Sequence, residues 1–159
     1  MSAAEDALAP KHPLLRTINE YLEDKTKFAT IAVKTCITGL GIAGVGCLIM
    51  GLGFIPIDPE FAAVAKPNID PFGIPLRPFM LFLGPMKVLG AASQWGYGPL
   101  HKGFGRLGLQ FCCICGFYGH YNIDPKSVSA SIIMFSLLTS LYWLDPLSND
   151  VEHEGSKSD

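Results

Sequence analysis

Charged side chains are scarce in this sequence, and their scarcity limits the kind of protein it encodes. Asp, Glu, Lys and Arg make up 16% of the 159 residues, whereas hydrophobic residues make up 49%. Soluble domains carry roughly 25% charged residues. The 12 basic residues form no block and the net charge is −2, which excludes a typical nucleic-acid-binding surface.

Two N-terminal targeting patterns are also missing. The first twenty residues contain Glu5, Asp6 and Glu20, whereas organellar transit peptides are rich in Arg and poor in acids. The early apolar stretch that a secretory signal peptide needs is absent as well. We therefore expect the first apolar segment of the chain to act as its membrane insertion signal.

The longest uncharged stretch runs from Thr35 to Ile57 and is apolar on every side. It is long enough to cross a hydrocarbon core of ~30 Å. Because it has no polar face, it cannot be a surface helix of a soluble domain. Three later segments have the same character in weaker form. The sequence therefore predicts an all-α, polytopic membrane four-helix bundle over residues 28–145, with spans at about 29–55, 78–95, 104–121 and 127–144.

The regions outside these spans are predicted from their periodicity and their prolines. Residues 1–27 are expected to form a tail and then a short amphipathic helix from Pro13, because apolar residues recur there at helical spacing. That helix could also continue into the first span. The proline-rich segment 56–77 is predicted to be a loop. Residues 146–159 form a polar, acidic tail.

Small residues recur every four positions along the first span. They predict an interface, because small side chains let two helices approach closely in lipid. The same region spells GxGxxG between Gly39 and Gly44, but a nucleotide site needs a strand before it and an amphipathic helix after it. Helix packing is the better interpretation. The predicted interface residues are Gly39, Ala43, Cys47 and Gly51.

Lys87 is the one ionisable residue well inside the predicted second span. A charge in lipid is costly unless it is paired or reaches the interface, so Lys87 either snorkels or forms a polar centre with the third span. His120, at the end of that span, either caps helix carbonyls, or responds to protons, or binds a lipid head group or a quinone. The candidate site for a quinone or bound lipid therefore comprises Lys87, His120 and Gln110, with Tyr118 beside it.

The five cysteines lie inside apolar segments, where we interpret them as small hydrophobic residues in helix contacts. Cys112 and Cys115 have CxxC spacing, but no second pair accompanies them, so no metal site is predicted. The sequence also lacks a nucleophile–histidine arrangement and paired carboxylates within the spans. Catalysis is not predicted.

Two short motifs resemble those of the DoxX-like family of small membrane proteins. Arg77 precedes the motif Gly84-Pro85-Met86-Lys87, and Gly119-His120 precedes the turn Asp124-Pro125. The resemblance extends over residues 35–144 and implies a four-helix bundle, although the proline-rich segment before Arg77 departs from the pattern. Proteins similar to this family include a subunit associated with thiosulfate:quinone oxidoreduction and a receptor-assembly chaperone, so the resemblance implies no single activity.

The sequence favours a non-catalytic integral membrane protein that serves as an accessory or assembly subunit of a larger complex. Its expected partners are membrane lipids and other integral membrane subunits. The working hypothesis assigns that complex to the respiratory chain of the mitochondrial inner membrane. Two alternatives stay open: a redox-linked protein that binds a quinone or lipid between the second and third spans, and a membrane-embedded assembly chaperone.

Overall fold

The computed structural model of this chain describes residues 13–146, which are almost entirely helical and contain no strand. The predicted tails at residues 1–12 and 147–159 lie outside the described residues. The prediction of an all-α protein is confirmed for the described part. Its elements are α1 (Pro13–Gly51), α2 (Pro59–Ile69), a 3-10 turn (Asp70–Phe72), α3 (Leu76–Gln94), α4 (Lys102–Ile123), a 3-10 turn (Pro125–Val128) and α5 (Ser129–Leu144).

The N-terminal amphipathic segment is not a separate helix. It is the first part of α1, which runs without a break for 39 residues, a length of roughly 58 Å. No proline follows Pro13 in this helix, so nothing interrupts its hydrogen bonds. The helix ends before Gly53, which has a φ of 86° and turns the chain so that the Phe54 N–H donates to the carbonyl of Ile49.

The prediction of a loop over residues 56–77 is wrong, because this segment contains α2. Its prolines stand mostly where helices tolerate them: Pro59 opens α2 and Pro75 precedes α3. The Asp58 carboxylate caps α2 by accepting hydrogen bonds from the N–H groups of Glu60 and Phe61, at 2.7 and 3.1 Å. A bend of 109° separates α2 and its 3-10 turn from α3.

The helices pack so that α3 lies between α1 and α4, α5 contacts α4 and α1, and α2 lies against α4. Trp95 joins the end of α3 to α1, since its indole N–H donates to the Thr38 hydroxyl at 3.1 Å. The hydrophobic core forms where α1, α3, α4 and α5 meet. Its buried members are Ile37, Ala91, Leu109, Cys113, Leu138 and Leu141.

Glycines allow backbone-to-backbone contact at two of these helix crossings. Where α1 crosses α3, a Cβ on Gly44 would lie 2.8 Å from the carbonyl oxygen of Gly84, and a Cβ on Gly84 would lie 3.0 Å from that of Gly44. Where α3 crosses α4, Gly90 and Gly105 face each other in the same way, at 3.0 and 3.1 Å. Any side chain at these positions would push the helices apart.

Two helices in the described part are long and apolar enough to cross a membrane: α1 from Thr17 onward, and α5 together with its preceding 3-10 turn. A third span exists if α2 and α3 count as one bent element. By length and composition α4 does not qualify, because its 22 residues include polar side chains such as Arg106 and Gln110. The four-span bundle therefore stays a prediction.

The glycine contact between α1 and α3 predicts a position-specific loss of stability. We expect Gly44→Ala to lower the free energy of unfolding by about 1–3 kcal/mol, because the new methyl group meets backbone that cannot move aside. Gly39→Ala is the matched control, because nothing lies within 4 Å of its new Cβ and alanine favours the helix. Thermal unfolding in detergent, followed by circular dichroism, measures both. Equal midpoints for the two variants would contradict the crossing.

Candidate functional site

A cavity of about 620 Å³ lies between the helices and receives side chains from all five of them. Its volume falls within the roughly 300–1,000 Å³ of typical small-molecule sites. Most of its wall is apolar, from residues such as Leu40, Phe61 and Met134. The polar or ionisable side chains in the wall are Asp58, Glu60, Asn68, Lys87, His120 and Ser131, together with the thiols of Cys47, Cys112, Cys113 and Cys115.

Lys87 projects from the middle of α3 into this cavity and is half-buried. The crossing of α1 and α3 fixes its position, because a Cβ on Gly44 would lie 2.7 Å from the Cβ of Lys87. Among residues 13–146, no carboxylate lies within 4 Å of its Nζ and no hydrogen bond engages it. A lysine ammonium inside a helical bundle is normally paired, so this one is available to a ligand.

His120 lines the same cavity from the last turn of α4. Its Nδ1 lies 3.3 Å from the Ser127 hydroxyl, which in turn donates to the backbone carbonyl of Asp124 at 2.7 Å. Because the Ser127 hydroxyl donates its proton to Asp124, a hydrogen bond between Ser127 and His120 requires a protonated Nδ1 as the donor. This arrangement leaves Nε2 as the ring nitrogen free to meet a ligand.

The structure brings together two of the three residues predicted for a quinone or lipid site. Lys87 and His120 line one cavity, whereas Gln110 does not. The Gln110 amide instead donates to the Thr139 hydroxyl at 3.2 Å and joins α4 to α5. Tyr118 lines a neighbouring groove described below.

The four interface residues predicted on α1 do not share one surface: some lie inside the bundle and one faces outward. Cys47 is buried, and a Cβ on Gly51 would lie 3.0 Å from the side chain of Leu81 on α3. Ala43 lines the cavity, whereas Gly39 faces open space. The GxGxxG sequence lies within continuous helix, and no strand precedes it in the described residues, so the dinucleotide interpretation is wrong.

Four of the five cysteines line the cavity, and Cys36 is exposed on α1. All five are free thiols. No group of three or more His, Cys, Asp or Glu side chains in the described part of the chain is arranged to hold a metal ion.

A second cavity of about 630 Å³ lies beside the first, as a groove between α2, α3 and α4. Three residues line both: Asn68, Phe79 and Cys115. The Asn68 side-chain amide donates to the carbonyls of Val64 and Cys115, at 3.2 and 3.1 Å, and so holds α2 against α4. Almost all of the groove surface is apolar, and its aromatic residues are Phe72, Phe79, Phe82, Phe111 and Tyr118.

Arg106, which the sequence analysis did not single out, is completely buried at the opposite end of the bundle. Its guanidinium donates to the Gln94 side-chain oxygen at 2.8 Å and to the carbonyls of Leu141 and Asp145, at 3.1 and 2.6 Å. It also lies over the Tyr142 ring, 5.3 Å from the centroid. The arginine therefore joins α3 and α4 to the C-terminal end of α5.

The Asp145 carboxylate supplies the negative charge for this cluster. Its Oδ2 lies 2.7 Å from Lys34 Nζ and 3.4 Å from Arg106 Nη2, and its Oδ1 lies 3.9 Å from Lys102 Nζ. The signal in the sequence was an arginine just inside one predicted span and an aspartate directly after another. The cluster is an ionic clamp that closes one end of the bundle.

The chain was compared with models of known protein families, with curated proteins and with solved structures, and no match was found. The resemblance to the DoxX-like family stays a prediction.

The ionic clamp predicts a large stability effect at Arg106. We expect Arg106→Met to lower the free energy of unfolding by about 3–5 kcal/mol, because it removes one partner of a buried ion pair and leaves the Gln94 side-chain oxygen and two backbone carbonyls without their Arg106 donor. Arg77→Met, at an exposed arginine, is the control. Denaturant unfolding in detergent micelles measures the difference. Similar losses in the two variants would rule out the clamp.

Proposed function

We propose that this chain is an integral membrane protein that binds a small amphipathic molecule, such as a quinone or a lipid, in the cavity between its helices. The observation that carries this proposal is the half-buried ammonium of Lys87, which faces the cavity without a partner among the described residues. A bound polar group would offset the cost of holding that charge inside the bundle. His120 supplies a second hydrogen-bonding group to the same space.

The chemistry of the wall defines the kind of ligand. Its polar groups are few against a largely apolar surface, as in sites that orient a ligand by a small number of contacts. A ligand that matches this wall has one polar head and a hydrocarbon body. Such a molecule partitions into lipid, where α1 and α5 have the length and apolar character to reside.

A second candidate function, an accessory or assembly subunit of a larger membrane complex, rests on the outward face of α1. Gly39 leaves open space on that face, next to the exposed side chains of Cys36 and Ile42. A partner helix could approach closely there, as small residues permit in membranes. The respiratory chain of the mitochondrial inner membrane is our working assignment for this complex, and fractionation of cells that express a tagged chain tests it.

The ligand proposal predicts that filling the cavity displaces the bound molecule. Gly46 lines the cavity, and nothing lies within 4 Å of a Cβ built on it, so Gly46→Leu fills the space without a backbone clash. We expect organic extracts of the purified wild-type protein to contain a stoichiometric amphiphile that extracts of Gly46→Leu lack. Mass spectrometry of the extracts measures it.

Gly39→Leu is the matched control for this experiment. It makes the same substitution one heptad earlier on α1, in open space and outside the cavity. We expect it to keep the ligand. Recovery of no amphiphile from the wild type, or the same yield from all three proteins, would exclude the cavity as its binding site.

The subunit proposal predicts a different effect of Gly39→Leu. The larger side chain would hold a partner helix away from α1, so we expect the native complex in digitonin extracts to dissociate into smaller species. Native gel electrophoresis measures the size, and an unchanged thermal midpoint of the purified chain shows that the fold is intact. A wild-type protein that migrates only at the size of a single chain would exclude the interface.

A further inference from the structure

We infer that the ligand is a single-chain amphiphile with an anionic head, a carboxylate or a phosphate monoester, which binds Lys87 while its hydrocarbon chain lies in the aromatic groove between α2, α3 and α4. This inference rests on the proposed function and names the class of ligand. It joins the two cavities, of about 620 and 630 Å³, into one site with a polar and an apolar chamber.

The anionic head follows from Lys87, whose ammonium has no direct partner among the described residues. Two cations of the bundle can be compared directly: the buried Arg106 contacts the Asp145 carboxylate at 3.4 Å, whereas the half-buried Lys87 has no carboxylate within 4 Å among the described residues. The cavity is also lined by two acids near the start of α2, Asp58 at its N-cap and Glu60 in its first turn, and neither carboxylate lies within 4 Å of the Lys87 ammonium. An anionic head at Lys87 supplies the missing partner.

The hydrocarbon chain follows from the composition of the groove. Its surface is almost entirely apolar, with phenylalanines from the 3-10 turn, α3 and α4 and a tyrosine from α4. Several of these side chains are exposed, Phe72 at 76% and Phe82 at 54%. An acyl chain that covers these side chains would remove apolar surface from water, which contributes favourable binding free energy.

The three residues that line both cavities lie at the boundary between them, which the hydrocarbon chain of the ligand would cross. At this boundary Asn68 holds α2 against α4 through its hydrogen bond to the Cys115 carbonyl, and Phe79 comes from α3. Cys115 on α4 completes the set. A ligand that extends past Phe79 contacts both chambers, so its affinity depends on chain length as well as on its head.

The test uses the full chain in nanodiscs of phosphatidylcholine, with palmitic acid that carries a photoreactive diazirine near its methyl end as the probe. We expect its crosslinks in the wild type to map to groove residues, above all Phe82, Phe111 and Ile114. Excess palmitate and palmitoyl lysophosphatidate compete, and the more effective competitor distinguishes a carboxylate from a phosphate ligand. Hexadecanol, with a neutral head, and octanoate, with a short chain, should compete at least tenfold less well.

Two variants at the head position complete the test. We expect Lys87→Met to reduce crosslinking at least tenfold and Lys87→Arg, which keeps the charge, to retain most of it. The wild-type crosslink map does not depend on either variant folding. Competition by hexadecanol equal to that by palmitate would overturn the anionic head, and crosslinks confined to the outer face of α1 would overturn the groove.

Different results would exclude the proposed ligand class and the proposed binding function. If Gly46→Leu still displaces an extracted amphiphile while palmitate and lysophosphatidate do not bind, the cavity binds a ligand of another class, and only the inference about its class is wrong. If neither the extraction nor the crosslinking depends on Gly46 or Lys87, the proposed function itself is wrong.

Discussion

Close contact between helix backbones at glycines is the constraint on which the rest of this structure depends. Gly44 against Gly84 sets the separation of α1 and α3, and Gly90 against Gly105 sets that of α3 and α4. The first crossing also directs Lys87 into the cavity, because the lysine Cβ lies directly under Gly44. The cavity therefore lies where larger side chains keep the helices apart, beside the glycine crossings at which their backbones touch.

The ionic clamp at the other end of the bundle explains how α4 tolerates its polar residues. Gly105 leaves room for the side chains of Ser93 and Gln94, and the Gln94 amide then reaches the carbonyl of Lys102 at 3.2 Å while its oxygen accepts from Arg106. A buried network of this kind stabilises a fold only when its members are satisfied. Arg106 meets that condition through Gln94 and two backbone carbonyls at the end of α5, whereas Asp145 Oδ2 is held by ion pairs with Lys34 and Arg106 and accepts no hydrogen bond from the described residues.

The helical class could be predicted from the sequence, because an uncharged stretch long enough to span a membrane is recognised from its length and composition alone. The placement of Lys87 and His120 at one cavity was also predictable, since Lys87 is an ionisable group inside one apolar segment and His120 is one at the end of the next. The helix α2 was missed because prolines were counted without regard to position: Pro59 opens the helix, where the missing N–H costs nothing. The clamp was missed because pairing between Arg106 and Asp145 depends on which helices are neighbours, which periodicity within one segment does not reveal.

The contrast between the buried Arg106 and the half-buried Lys87 gives the strongest reason to look for a ligand. Arg106 has three hydrogen-bond acceptors and a carboxylate around it, so its charge is accounted for by the fold. Lys87 lies in a cavity of the same bundle, within a wall that is mostly apolar, and the described residues give it none of these partners. The partial burial of the Lys87 ammonium carries a desolvation cost that no described residue offsets. A ligand in the cavity, as proposed above, would offset this cost, and the adjacent aromatic groove would hold its apolar part.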